Sequence, residues 1–280
     1  MYLKNKTGKA KQRKEMKEMN AKEKNAVMMA EIENGKEIKD SRNKKDKKEK
    51  CMLMFSGGYD TLLCVPRLIS SGFKSVSLIT FDNGAEKGIN NVTKNAERLK
   101  KIYGESIEFL GVESIVGIWR KFLIPYFLGK WNNIQLLPME MVCLTCRTSM
   151  YIRAITECLK RNIQYLAEGA RESQGYSEQQ STIVERYKRL CREFSIELLL
   201  PVWTVKSKGE IKEELIRAGI IPKTAEPFCV LAMPLYDYQI KKESVKEMER
   251  VLDELIFPEI GDIIKELQQT NYKLKGEKEI

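Results

Sequence analysis

Ser56-Gly57-Gly58-Tyr59-Asp60-Thr61 follows directly on the apolar run Cys51-Met52-Leu53-Met54-Phe55 and opens the helical pattern from Leu62 to Ile69. That order predicts a buried strand, a glycine turn and a helix start. Two adjacent glycines permit backbone conformations that a Cβ would forbid. Consecutive N–H groups can then point into one concavity at a helix N-terminus, where anions are favoured. The segment reads as a loop able to hold phosphate. Ser56 and Thr61 add hydroxyls at either end, and Asp60 stands where it could orient a Mg²⁺ ion or cap the helix. An ordinary capped strand-to-helix turn is the plainer reading of the same residues.

Outward from this loop, apolar runs alternate with helical patterns. Residues 76–81 read as a strand, 89–103 as a helix and 107–112 as a strand. After them come a helix over 147–160, a strand over 164–167, a helix over 181–193, a strand over 197–200 and a helix over 208–218. Such a βα rhythm predicts a parallel sheet covered by helices on both faces. Trp119 to Trp131 is apolar and aromatic but interrupted by Pro125 and Gly129, and reads as a helix plus a lid or insertion whose aromatic residues belong to the core. Residues 241–274 read as a helical C-terminal extension broken at Pro258 and Gly261. The division that follows is a basic tail over 1–50, one α/β domain over 51–240 and a helical extension over 241–280.

The chain has 280 residues, 42% of them hydrophobic, which suffices for one substantial core. The formal charge is +10, but residues 1–50 hold 17 Lys and Arg against 9 Asp and Glu, so nearly all of the excess lies in the leading segment. That segment ends in Lys44-Lys45-Asp46-Lys47-Lys48-Glu49-Lys50 and reads as disordered, with Met16, Met19, Ala26, Val27 and Ala30 as a thin apolar stripe on a transient helix. It is either a solvated tail or an arm for RNA phosphates. No apolar run is long enough for a membrane helix and no signal peptide is legible, so a cytoplasmic protein without membrane contact is expected. Histidine is absent, which excludes Ser-His-Asp and Cys-His catalysis and imidazole metal ligands.

Four further segments carry chemistry. The second strand ends in Phe81-Asp82-Asn83-Gly84, where Asp82 is a carboxylate at the carboxyl end of a strand, in what is also a plain Asp-Asn-Gly turn. Gly169-Ala170-Arg171-Glu172-Ser173-Gln174-Gly175-Tyr176 is a polar loop after a strand, and Leu200-Pro201-Val202-Trp203 leads into Ser207-Lys208-Gly209-Glu210-Ile211. Lys208 read by itself is a solvated lysine in a first helical turn, and Glu210 caps or pairs locally. Cys143-Leu144-Thr145-Cys146-Arg147 introduces the middle helix, and Cys229 stands alone in Pro227-Phe228-Cys229. A C-x-x-C pair with a distant third cysteine suits an iron–sulfur cluster, a zinc site, a redox pair or no metal at all. Cys51, Cys64, Cys158 and Cys191 lie in apolar or helical settings and read as core, with Cys191 as the fourth ligand if zinc were bound.

The Ser56–Thr61 loop resembles the S-G-G-x-D-S PP-loop of the ATP pyrophosphatases, with Thr61 in place of the last serine. That resemblance implies a Rossmann-like, HUP-type α/β fold that holds ATP and Mg²⁺, adenylates a substrate and releases pyrophosphate. The site it implies comprises Ser56, Gly57, Gly58, Asp60, Thr61, Asp82, Gly169 and Lys208. Over about residues 51–232 the order of motifs is similar to that of the 7-cyano-7-deazaguanine synthases, but their C-terminal zinc-binding cysteine cluster is missing. Cys143, Cys146 and Cys229 resemble instead the three-cysteine set of the iron–sulfur-dependent tRNA sulfurtransferases of the same superfamily. This second resemblance implies a [4Fe–4S] cluster with one iron open to sulfide, Zn²⁺ being the alternative, and sulfur transfer to an adenylated nucleobase carbon with Asp60, Lys208, Cys143 and Cys146 in catalytic roles. The alternatives are a ligase using ammonia on a small carboxylic acid and a nucleotide-binding protein without turnover. ATP, and tRNA through the basic tail, are the expected partners, with an unspecified sulfur donor and a homodimer as a further option.

Overall fold

The computed structural model describes residues 49–131, 133–176, 179–221, 226–231 and 240–276, with side chains to 269. The tail expected over residues 1–50 lies, up to residue 48, outside the described residues. From Lys50 onward the elements come in the order that the βα rhythm predicts. These are β1 (Lys50–Met54), α1 (Tyr59–Ser70), β2 (Ser75–Asp82), β3 (Glu86–Lys87), α2 (Asn91–Tyr103), β4 (Ile107–Ser114), α3 (Val116–Phe127) and α4 (Pro138–Arg161). They continue with β5 (Tyr165–Glu168), α5 (Ser181–Glu193), β6 (Glu197–Leu199), α6 (Lys208–Arg217), β7 (Phe228–Cys229), α7 (Lys242–Arg250) and α8 (Phe257–Gly276).

Five strands form one sheet in the order β4-β2-β1-β5-β6, and every neighbouring pair is parallel. β1 is central, with Met52 opposite Ser77 of β2 on one side and Leu166 of β5 on the other. Its side chains alternate between two layers, as the strand period of two requires. Cys51, Leu53 and Phe55 pack with α1, α2 and α6, whereas Met52 and Met54 pack with α3, α4, α5, α7 and α8. Both faces of the sheet are therefore buried, which explains why the strands read as nearly continuous apolar runs. Strands β3 and β7 form a separate antiparallel pair with Glu86 opposite Cys229.

Three sequence expectations are corrected. The middle helix begins at Pro138 rather than Arg147, because Pro138 sits in the first turn, where its missing N–H costs nothing, and Glu140 Oε2 accepts from Leu137 N at 2.9 Å. Cys143 and Cys146 consequently lie inside α4 and do not introduce it. The buried hydroxyls of Thr145, Thr148, Ser149 and Thr156 bond to carbonyls one turn back, so this polar-looking helix is satisfied internally. Pro258 and Gly261 do not break the C-terminal helix, since a π-helical turn over Val251–Ile256 precedes α8 and Pro258 falls in its first turn. Pro125 likewise lies within α3, and Trp119 is buried with its indole N–H donating to Thr145 Oγ1 at 3.0 Å.

The C-terminal helices close the main core. Met248, Val251, Leu252, Ile256, Ile260, Ile263 and Ile264 join Tyr151, Ile152 and Ile155 of α4 in one buried cluster. Among the described residues no helix is long and apolar enough to cross a membrane.

Candidate active site

In a parallel sheet whose strand order reverses, the loops at the carboxyl ends of the strands on either side of the reversal splay apart and leave a crevice. Here β1 is followed in sequence by β2 on one side and later by β5 on the other, so the reversal lies at β1. Residues 55–58 leave β1 at that point. Gly57 has φ +76°, a conformation that a side chain would strain, and its carbonyl accepts from Asn95 Nδ2 at 2.9 Å. Gly58 is the N-cap of α1, and its N–H donates to Ser56 Oγ at 3.2 Å. Thr61 Oγ1 donates to Gly58 O at 3.2 Å and lies 3.3 Å from Ser56 Oγ. The doubled glycine thus makes a turn pinned at both ends by hydroxyls and from beneath by Asn95, at the N-terminus of a twelve-residue helix.

Gly169, which follows β5, approaches this turn from the other side. A Cβ on it would stand 2.8 Å from Thr61 Cγ2 and 3.0 Å from Thr61 N. Glycine is therefore required for β5 and α1 to meet. The following loop brings Arg171, 4% exposed, into an ion pair with Asp60 at 2.6 Å, and Gln174 donates to the other carboxylate oxygen at 2.9 Å. Asp60 makes no side-chain cap on α1. Its two oxygens face Arg171 and Gln174 instead, so the capping role is not the one it has. Burial pushes the Asp60 carboxyl up, while Arg171, Gln174 and Lys208 act in the opposite direction.

Lys208 opens α6 beneath an N-cap built by Ser207, whose Oγ accepts from Glu210 N at 3.2 Å, while Glu210 Oε2 accepts from Lys206 N at 3.3 Å. The local capping role expected of Glu210 is the one it has. Helix α6 is fixed to α1 by Arg67, which bonds Glu214 through two nitrogens at 3.0 and 2.6 Å and Pro201 O at 2.7 Å. Lys208 is exposed, and its charge acts on both Asp60 and Glu226. At the end of β2, Asp82 Oδ1 accepts from Gly84 N at 2.7 Å, the plain turn bond of an Asp-Asn-Gly sequence.

The cysteines meet next to that turn. Asn83, 4% exposed, donates through Nδ2 to Cys146 Sγ at 3.3 Å and lies 3.7 Å from Cys229 Sγ, while its Oδ1 accepts from Ala85 N at 2.8 Å. Cys143 lies three residues before Cys146 on α4, so the two share a helix face. Burial pushes the Cys146 thiol up to about 12, with the Asn83 bond acting against it. Burial also pushes the Glu86 carboxyl up to about 7, aided by Asp82 and Glu226.

As a donor set, three cysteines suit iron–sulfur or zinc chemistry, and two of the three converge on one amide. Among the described residues no three His, Cys, Asp or Glu stand close enough together to hold a metal ion. The donor types therefore fit, and the arrangement is drawn together at two positions of three. Cys191 is fully buried in the apolar core, with Cys158 close enough to act on its thiol. Cys51, Cys64 and Cys158 are buried as expected.

Sequence reading placed Ser56, Gly57, Gly58, Asp60, Thr61, Asp82, Gly169, Lys208, Cys143, Cys146 and Cys229 in the site. It gave no role to Asn83, Asn95, Arg171, Gln174 or Glu226. Asn83, Arg171 and Gln174 stood within quoted motifs. Asn95 is signalled only as an amide on the buried face of α2.

No protein-family model matches the chain, and no curated protein matches it. Among solved structures it is similar to NMN synthetase from Francisella tularensis, at 12% identity over 84% of this chain and 89% of that one, with a TM-score of 0.44. It is also similar to the U34-tRNA thiolase NcsA from Methanococcus maripaludis with its [4Fe–4S] cluster, at 15% identity over 80% of this chain and 73% of that one, with a TM-score of 0.41. A third is the NH3-dependent NAD synthetase from Campylobacter jejuni, at 15% identity over 84% of this chain and 90% of that one, with a TM-score of 0.41. Scores this low assign no activity, and the chemistry of the site stands on its own geometry.

Proposed function

We propose that the chain binds ATP on the Ser56–Thr61 loop and adenylates a substrate with release of pyrophosphate. The observation that carries this reading is the position of the loop. A doubled-glycine turn with a left-handed Gly57 caps a helix at the point where the order of a parallel sheet reverses. Main-chain N–H groups and the Ser56 and Thr61 hydroxyls bind phosphate oxygens there, and the N-terminus of α1 adds its partial positive charge. Lys208 adds a cation on the facing helix, where it stabilises charge on the departing pyrophosphate. Arg171 neutralises Asp60 so that the crevice does not repel an incoming polyanion.

In the first step an oxygen of the substrate attacks the α-phosphorus, the bond to the β-phosphate oxygen breaks, and pyrophosphate carries away the charge. Positioning and electrostatics supply the catalysis, as they must in a chain with no histidine.

The favoured substrate is a nucleobase carbonyl in tRNA. Cys146 and Cys229 around Asn83, next to the crevice, support this finer reading. Cys143, Cys146 and Cys229 would hold a [4Fe–4S] cluster, which when bound supplies an iron open to sulfide. Sulfide adds to the carbon bearing the adenylyl group, and AMP leaves with the former carbonyl oxygen.

The test is anaerobic purification with iron and zinc counts, together with pyrophosphate release from ATP labelled at the α-phosphate, in the presence of tRNA. Formation of labelled AMP and pyrophosphate, with about four irons per chain lost in Cys143→Ala, Cys146→Ala and Cys229→Ala, is expected. Cleavage of the outermost phosphate alone removes the adenylation reading. An iron-free protein that keeps its activity in all three variants removes the sulfur-transfer reading.

A further inference from the structure

An anion already lies on the phosphate loop, and it belongs to the chain. Glu226 stands 170 residues from Ser56 in sequence, yet its Oε1 accepts from Ser56 Oγ at 3.1 Å. Its carboxylate lies over Gly58 so closely that a Cβ on that glycine would overlap it. This is the space that the absence of a side chain opens, and it is the space over the first turn of α1 where a phosphate oxygen would lie. Three features make the contact displaceable. The residue keeps an exposed edge, burial pushes its carboxyl up, and Asp60 adds a repulsion that the Ser56 bond and Lys208 oppose. A polyphosphate brings more charge and more acceptor oxygens to the same donors.

On the reading that this loop takes ATP, we propose that Glu226 is an internal anion that occupies the phosphate place and competes with nucleotide for it. Two anions cannot share one set of donors without a large repulsion, so nucleotide binds only to molecules whose Glu226 side chain has swung away. The affinity measured for nucleotide is then the intrinsic affinity reduced by the fraction of molecules in which the loop is clear. Glu226 also donates nothing as a carboxylate, so it satisfies Ser56 and screens the amides of the loop from water without offering a leaving phosphate any contact of its own.

The experiment is calorimetric titration of the full chain with α,β-methylene-ATP, which cannot be cleaved at the inner bond. The parent is compared with Glu226→Gln and Glu226→Ala, and thermal unfolding of each variant establishes that it is folded. Glu226→Gln keeps the size of the side chain and removes only the charge, so it serves if the alanine variant unfolds. Both variants are expected to bind more tightly than the parent, on the order of tenfold for alanine. Equal affinity in all three proteins overturns the proposal and leaves the nucleotide reading standing. Weaker binding by both variants overturns it as well, because Glu226 then serves the bound state. If none of the three binds the analogue, the nucleotide reading falls and this proposal with it.

Discussion

Gly169 has a neighbour in the way on the side where other residues carry a side chain. The obstacle is the backbone and methyl of Thr61, which cannot move without moving the start of α1. Gly169→Ala is therefore expected to cost about 1–3 kcal/mol, the usual penalty for forcing atoms into a packed place. Urea unfolding checks it, and a loss below about 0.5 kcal/mol shows that β5 and α1 are less tightly joined than described. The contrasting case is Gly58→Ala, where the three nearest atoms all belong to the end of the flexible Glu226 side chain. That change is expected to leave stability nearly intact and to expel the carboxylate. The difference between these glycines was not legible in the sequence, where Gly57-Gly58 announced a loop and Gly169 entered the site only through the resemblance, with no sign of its close approach to Thr61. The same holds for Asn95, whose bond to Gly57 spans 38 residues, and for Glu226. Local pattern reveals which backbone must be glycine, but not which distant side chain will fill the space that glycine leaves.

On the proposed adenylation, helix α6 matters to the site because it carries Lys208, and Arg67 fixes it to α1. A guanidinium that binds Glu214 through two nitrogens and Pro201 O through a third holds two helices and a loop at one angle. Arg67→Met keeps the aliphatic stem and removes the charge. Because the pair is about one-third exposed, the expected stability loss is only about 1 kcal/mol. The functional loss is expected to be larger, a several-fold fall in kcat for pyrophosphate release with little change in KM, since Lys208 acts on charge that grows in the transition state. A rise in KM at constant kcat points instead to a role in holding ground-state phosphate. At this scale the sequence was informative: strand and helix order followed from apolar periodicity because both faces of the sheet are covered. The start of α4 was not legible, because Leu136 and Leu137 before it and the threonines within it hide a helix whose hydroxyls bond to its own turns. Placing the cysteines at a helix start was a consequence of that hidden turn. Inside α4 their spacing puts both on one face, which the wrong boundary could not have guaranteed.

For the whole molecule the uneven charge is the main physical fact, with the first 50 residues carrying 17 basic against 9 acidic groups and the remainder almost balanced. A folded part near neutrality has no long-range field to draw in a polyanion the size of tRNA, whereas a lysine-rich leader does. If the leader supplies the grip on RNA, binding must follow counterion release, so that affinity falls as a power of salt concentration set by the number of phosphates neutralised. The full chain with Lys44, Lys45, Lys47 and Lys48 changed to Gln, all beyond the described residues, is expected to bind tRNA more weakly. The slope of log affinity against log salt should shrink by about 0.7–0.9 for each phosphate that is no longer neutralised. The affinity for α,β-methylene-ATP is expected not to change, since residues 56–61 of the loop at β1 are left as they are. A variant whose tRNA affinity and salt slope both match the parent removes these four lysines from the grip on RNA. Filter binding across a series of salt concentrations separates these outcomes, since only the electrostatic grip changes the slope.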